Sequence, residues 1–144
     1  MTRFVLQVAL LLLVAVFAWR KGGKPERQVA SIYLGMLVLG MSYAAAAGSW
    51  ASYVSIPYYR VILDFAALLL VVHVALANDR WWVLWVGSAQ FLAVTAHFLR
   101  MAGMPLPPVV YAVMERWPVW LAIVLTGLGT WLHMRRTSAK TART

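Results

Sequence analysis

The sequence contains no cysteine and only four acidic residues among its 144. Without cysteine the chain can form no disulfide, thiolate metal site, iron–sulfur cluster or catalytic thiol. The four carboxylates are spread along the chain and do not form the acidic pair on which glycoside hydrolysis depends. Short motifs of metalloproteases, phosphate-binding loops, hydrolases and kinases are missing as well. The sequence therefore offers no motif that names a reaction.

Charged residues of all kinds are scarce. They make up 12% of the chain, whereas 63% is hydrophobic and the mean hydropathy is +0.76. A soluble domain is usually about a quarter charged and close to half apolar. Here the few charges are gathered in short gaps between long apolar runs. The composition therefore predicts an all-α integral membrane protein whose first partner is the lipid bilayer.

Five apolar runs approach the roughly 20 residues that a helix needs to cross the hydrocarbon. They predict a single domain over 1–134, a bundle of about five transmembrane helices at 4–19, 29–47, 61–77, 81–99 and 118–133. The first and last runs are short, so four crossings with one re-entrant segment is the alternative. Arg20 and Lys21 directly follow the first run, which is typical of a retained helix rather than a cleaved signal.

Two flanking segments differ from these runs. The segment 103–118 contains four prolines, and between them 108–116 predicts a short helix lying on the outer membrane surface. Residues 135–144 predict a basic, disordered cytoplasmic tail. The last crossing is therefore expected to follow a surface helix and to end before a disordered tail.

The distribution of Lys and Arg predicts the orientation. Nine of the thirteen lie on the side of the 20–27 loop and the tail, and four lie on the other side, namely Arg3, Arg60, Arg100 and Arg116. Because basic residues collect in cytoplasmic loops, the amino terminus is expected outside and the tail inside. The net charge of +9 then needs no nucleic acid to explain it. Alanine richness and a preference for Arg over Lys favour a bacterial inner membrane.

Asp64 is the one acidic residue embedded in an apolar run, where a charge costs of order 2.5–3.5 kcal/mol. Counted from the tight link at 78–80, Asp64 lies about 15 residues along the third helix. His97 lies about 17 residues along the fourth, so the two reach a similar depth. We therefore expect them to hydrogen-bond across the hairpin.

Helical phase adds three residues to this pair. Arg60 shares a sector of the third helix with Asp64, and Gln90 and Arg100 share a sector of the fourth with His97. The predicted polar cluster thus contains Asp64, His97, Arg60, Arg100 and Gln90. The simplest role of such a cluster is to satisfy buried polar groups and set the helix register. A proton or ligand site is the alternative, because a histidine beside a carboxylate titrates in a useful range.

Small residues recur at intervals of four on two helices. They are Gly40, Ala44 and Gly48 on the second helix, and Ala89 and Ala93 on the fourth. Such stripes let another helix approach closely. We expect the contact to be internal to the bundle, with a partner subunit or self-association as the alternative.

The other two histidines are weak cofactor candidates. His73 and His133 could lie level near the cytoplasmic side, and facing histidines are what a b-type haem requires. Histidines at helix ends are more often interfacial, so no cofactor is predicted. A metal site from Asp64, His97 and Glu115 is not expected either, because nothing brings Glu115 close to the others.

Three functions remain open. A noncatalytic accessory or scaffold subunit of a larger membrane complex is favoured, because five short helices with one polar cluster are few for a transporter with inverted repeats. The alternative is a small oligomeric transporter or channel that uses the Asp64 and His97 cluster. A membrane-embedded enzyme or redox protein comes third.

Overall fold

The structure, a computed structural model, describes residues 2–47, 58–104 and 107–141. These ranges form five α-helices: α1 (Thr2–Lys21), α2 (Lys24–Ala47), α3 (Tyr58–Asn78), α4 (Trp81–Met101) and α5 (Pro108–Thr141). Each is long and apolar enough to cross a membrane, α5 through its part Arg116–Ala139. The predicted all-α fold with five membrane-length helices is confirmed at this level, and the orientation stays a prediction.

Local sequence explains where the helices stop. Gly22 and Gly23 separate α1 from α2, and the Gly22 N–H still donates to the Ala18 carbonyl at 2.8 Å. Asp79 turns the chain between α3 and α4 with a φ of 49°, a left-handed conformation that aspartate tolerates better than most residues. At the end of α4, Gly103 has a φ of 73° and its N–H donates to the Arg100 carbonyl. The result is a glycine-based helix stop.

The helices pack as a ring in chain order. Each contacts the next, α5 closes the ring against α1, and α2 also contacts α5. The links at 22–23 and 79–80 have room only for antiparallel neighbours. The core takes side chains from all five helices, among them Leu11, Val29, Tyr33, Val71, Val74, Trp82, Val83, Val86, Ala122 and Ile123. We call the end that holds these two links and the carboxyl end of α5 the link end.

The last helix differs from expectation. Residues 108–116 are the first turns of α5 and not a separate interfacial helix, and Pro118 lies inside the helix. A proline there removes one backbone donor, a loss that neighbouring helices can compensate in a membrane bundle. The basic segment from Arg135 to Thr141 continues the helix, whereas a disordered tail was predicted. This extension lengthens α5 at the link end.

Candidate functional site

Asp64 and His97 meet as their depths predict. His97 Nε2 lies 2.8 Å from Asp64 Oδ2, which joins α3 to α4. The His97 side chain is 1% exposed and that of Asp64 is 16% exposed. The predicted hydrogen bond is therefore present, and it is shielded from solvent mainly on the histidine side.

Gln90 completes the site and extends it to a third helix. Its Nε2 donates to Asp64 Oδ1 at 3.0 Å and to the Asp64 carbonyl at 3.2 Å. Its Oε1 accepts a hydrogen bond from the Tyr33 hydroxyl at 3.0 Å. Tyr33 comes from α2, so the four residues join α2, α3 and α4. We call Tyr33, Asp64, Gln90 and His97 the polar network.

Tyr33 was missed by sequence reasoning. Its place four residues after Val29 indicates a buried face, and it is 2% exposed within the apolar core. Nothing in an apolar helix reveals which neighbour a tyrosine hydroxyl will reach. The only available signal was that a buried tyrosine usually finds a hydrogen-bond partner.

The two arginines of the predicted cluster lie near helix ends, Arg60 in the first turn of α3 and Arg100 in the last turn of α4. Arg60 Nε donates to the Tyr59 hydroxyl at 3.0 Å, and its guanidinium lies 5.9 Å from the centre of that ring. Arg100 is exposed near the end of α4. The described carboxylate hydrogen bonds of Asp64 go to Gln90 and His97. Whether the five predicted residues work together stays a prediction.

An open groove runs between α1, α2 and α3 beside Asp64. Its volume is about 390 Å³. The residues that shape it include Phe4, Met36, Gly40, Ala44, Arg60 and Asp64. We call it the stripe groove, because it contains the first two residues of the small-residue stripe of α2.

The two small-residue stripes behave differently. A Cβ placed on Gly40 would meet no atom within 4 Å, and Ala44 is exposed. Gly48 lies outside the described residues. On α4, Ala93 is buried and Ala89 is half-buried. In the part of the chain that the structure describes, Gly40 therefore lacks the close internal contact that the sequence predicts.

The two remaining histidines have different surroundings. His73 is exposed on α3, whereas the His133 ring lies about 3 Å from the Cβ position of Gly23 in the α1–α2 link. No group of three or more His, Asp or Glu side chains suited to a metal ion occurs in the described ranges. The side chain of Glu115 lies outside them.

The polar network joins three helices through hydrogen bonds among its own members. Both carboxylate oxygens of Asp64 already accept hydrogen bonds, and His97 is not among the residues that line the stripe groove. Among the described residues that line that groove, Asp64 and Arg60 are the charged ones. No known protein family, curated protein or solved structure matches this chain.

Proposed function

We propose that this protein is a noncatalytic subunit of a larger membrane complex and that the stripe groove receives a transmembrane helix of its partner. The observation that carries the proposal is the open position of Gly40 and Ala44. Small residues at intervals of four permit close backbone approach between helices. Among the described residues that approach is unused at Gly40, because none of their atoms lies within 4 Å of its Cβ position.

The walls of the groove suit a helix as occupant. Met36 and Met41 supply flexible apolar side chains that adapt to an incoming surface. Asp64 and Arg60 stand at the same groove and can pair with a polar side chain of a partner. Only 17% of the apolar stretches of α1 and α2 is buried within the chain, against 50% for α4. The groove is therefore bordered by the least covered helices of the bundle.

The first test is purification from the native host in nanodiscs, followed by mass spectrometry of the proteins that accompany the chain. A stoichiometric membrane partner is expected. A lone homo-oligomer would contradict the proposal. An absorption spectrum of the same sample detects any chromophore.

A matched pair of variants then tests the groove itself. Gly40→Leu places a bulky side chain in the groove from a Cβ position with no described atom within 4 Å, so we expect the variant to fold. The amount of co-purified partner should fall at least tenfold. Gly35→Leu is the control, because its Cβ position is equally open and it is not among the residues that line the groove. Retention of the partner by both variants, or its loss from both, would contradict the proposal.

Crosslinking identifies the occupant. A photoreactive amino acid at Ala44 should capture the partner helix, and the same group at Leu76, which is 79% exposed on α3, should not. A crosslink to a second copy of this chain would show that the groove mediates self-association and would contradict a partner subunit as its occupant. Equal capture from both positions would show that the contact is nonspecific.

A small transporter is the second candidate, favoured by a cavity of about 690 Å³ at the end opposite the link end. Arg3, Arg60 and Arg116 line it together with Trp117 and Trp120. Three guanidinium groups around one cavity attract anions. Flux of chloride or phosphate into proteoliposomes, abolished by Arg3→Gln with Arg116→Gln, would support transport. Tight vesicles with wild-type protein would exclude it for these ions.

A further inference from the structure

Among the described residues, Glu26 is a buried acid with an unpartnered carboxylate oxygen. It is 2% exposed, and its Oε2 has no hydrogen-bond partner among the described residues. Buried carboxylate oxygens nearly always have a hydrogen-bond partner, because burial removes their bound water and an unpaired oxygen gains no hydrogen bond to offset that cost. A ligand that donates to Oε2 is a direct way to complete this site.

The carboxylate borders a small chamber at the link end. The chamber has a volume of about 180 Å³. Its charged and histidine lining comes from α2, α5 and the α3–α4 link, and comprises Glu26, Asp79, Arg80, His133 and Arg136. We call it the Glu26 chamber. It combines two carboxylates with two guanidinium groups, so it can pair with both signs of charge on one ligand.

Gly23 keeps the space around the carboxylate compact. A Cβ at this position would lie 3.1 Å from Glu26 Oε2 and 3.0 Å from His133 Cε1. The absence of a side chain lets the α1–α2 link approach both groups. Despite the proximity of His133 to the link, Glu26 Oε2 accepts no hydrogen bond from any described residue.

The position of the chamber points to a membrane component. Trp81, the first residue of α4, lines it and is 59% exposed, and Arg80 lies at the amino-terminal cap of the same helix. In a chain whose helices cross the bilayer, helix ends with tryptophan and arginine lie at the depth of the lipid headgroups. The chamber is therefore placed where a headgroup can enter sideways.

We propose that the Glu26 chamber binds a phosphoethanolamine headgroup, with its ammonium on the Glu26 carboxylate and its phosphate on Arg80 and Arg136. An ammonium offers three donors and no acceptor, which suits an unpaired carboxylate oxygen. Arginine pairs strongly with phosphate oxygens. A purely anionic headgroup would leave Glu26 unpaired, and a choline headgroup has no N–H to donate.

The first test needs only the wild-type protein. Native mass spectrometry of the delipidated full-length chain measures its affinity for phosphatidylethanolamine and for the mono-, di- and trimethylated forms with identical acyl chains. Affinity should fall as N–H donors are removed and be at least tenfold weaker for the trimethylated form. Phosphatidylglycerol should bind weakly too. Equal affinity across the series would overturn the proposal.

Variants assign the two halves of the headgroup. Glu26→Gln should reduce the preference for phosphatidylethanolamine over its trimethylated form to less than threefold. Arg136→Gln should weaken the whole series, whereas Arg135→Gln should not, because Arg135 lies over the Trp131 ring at 3.9 Å and is not among the residues that line the chamber. A preference that survives Glu26→Gln would overturn the proposal.

A last arm separates the two sources of this headgroup. Soluble O-phosphoethanolamine is added to the delipidated protein in competition with the lipid. Failure to compete at a thousandfold excess supports a lipid, whose acyl chains add affinity. Competition at equal concentration, lost in Glu26→Gln, supports the same chemistry with a soluble ligand. Competition that is unchanged in Glu26→Gln would overturn the assignment of the ammonium.

Discussion

Among the described residues, two carboxylates lie inside the helical bundle, and their surroundings are opposite. Asp64 is the more exposed of the two, yet both its carboxylate oxygens accept hydrogen bonds, from Gln90 and His97. Glu26 is almost fully buried, yet its Oε2 has no partner among the described residues. Burial alone therefore does not show which acid has a role beyond the fold. The useful difference is whether the protein itself completes the hydrogen bonds.

The comparison separates a structural junction from an open site. The polar network satisfies its members and ties α2, α3 and α4 together near one depth. In the Glu26 chamber, at the link end, one carboxylate oxygen has no hydrogen-bond donor among the described residues. If this distinction is correct, removing the two carboxylates should change the stability of the purified protein in opposite directions.

Removal of the Asp64 carboxylate should have the largest effect. Asp64→Ala loses two side-chain hydrogen bonds and leaves His97 and Gln90 buried with fewer partners. Interhelical hydrogen bonds in membrane proteins contribute about 0.6–1.7 kcal/mol each, so we expect a loss of about 2–3 kcal/mol. Unfolding in increasing SDS, followed by circular dichroism, measures the change.

The two histidines of α3 and α4 provide the control for this experiment. His97→Ala should destabilise by about 1–2 kcal/mol, whereas His73→Ala should stay within about 0.5 kcal/mol, since His73 is exposed. Equal effects of the two substitutions would mean that the network contributes nothing specific. The claim that Asp64 belongs to a stabilising network would then be wrong.

Much of the polar network could be predicted from the sequence because an α-helix has a constant rise per residue. Residues counted from a tight link convert directly into depth, and this placed Asp64 beside His97. Rotation is harder, since it depends on how every neighbour packs. That is why Tyr33 was missed and why Gly40 faces a groove when an internal contact was expected.

The Glu26 chamber could not be predicted for a different reason. In the sequence, Glu26 is an acid in the first turn of a helix, a common and favourable position. In the structure Glu26 is buried and shares the chamber with His133, at the end of the predicted last crossing, and with Arg136, which lies on the helical extension beyond it. A basic, polar segment gave no hint of this extension, because packing rather than hydropathy decides where such a helix ends.

Packing at the wall of the chamber should rank second in effect. A Cβ on Gly129 would lie 3.0 Å from the Trp82 ring, so Gly129→Ala should destabilise by about 1–2 kcal/mol through overpacking. Gly127→Ala is the matched control on the same helix, because its Cβ would meet only Val14 at an ordinary 3.7 Å. It should be neutral or stabilise by up to about 1 kcal/mol. The same SDS titration compares them, and equal costs would show a loosely packed wall.

The Glu26 carboxylate itself supplies the sharpest test of sign. Glu26→Met removes the unpaired oxygen and keeps the apolar volume. We expect the free energy of unfolding of the lipid-free protein to rise by about 1 kcal/mol. Removing an unsatisfied buried group stabilises by about 1–3 kcal/mol. Losing the favourable interaction of the carboxylate with the helix dipole offsets part of that gain. A thermal melt in detergent measures this gain. A destabilisation as large as that of Asp64→Ala would show that Glu26 is paired in solution and would end the comparison.

The smallest expected effect comes from a polar pair that resembles the network but lies nearer the chamber. Asn78 Nδ2 donates to Gln28 Oε1 at 3.0 Å and so joins α3 to α2. A double-mutant cycle with Asn78→Ala and Gln28→Ala isolates this bond from the second bond of Asn78 to the Val74 carbonyl. We expect a favourable coupling of about 0.6 kcal/mol. A coupling of zero at a fully formed bond would mean that hydrogen bonds between these helices contribute little to stability, and the large cost expected for Asp64→Ala would then have to come from desolvation of the partners left behind.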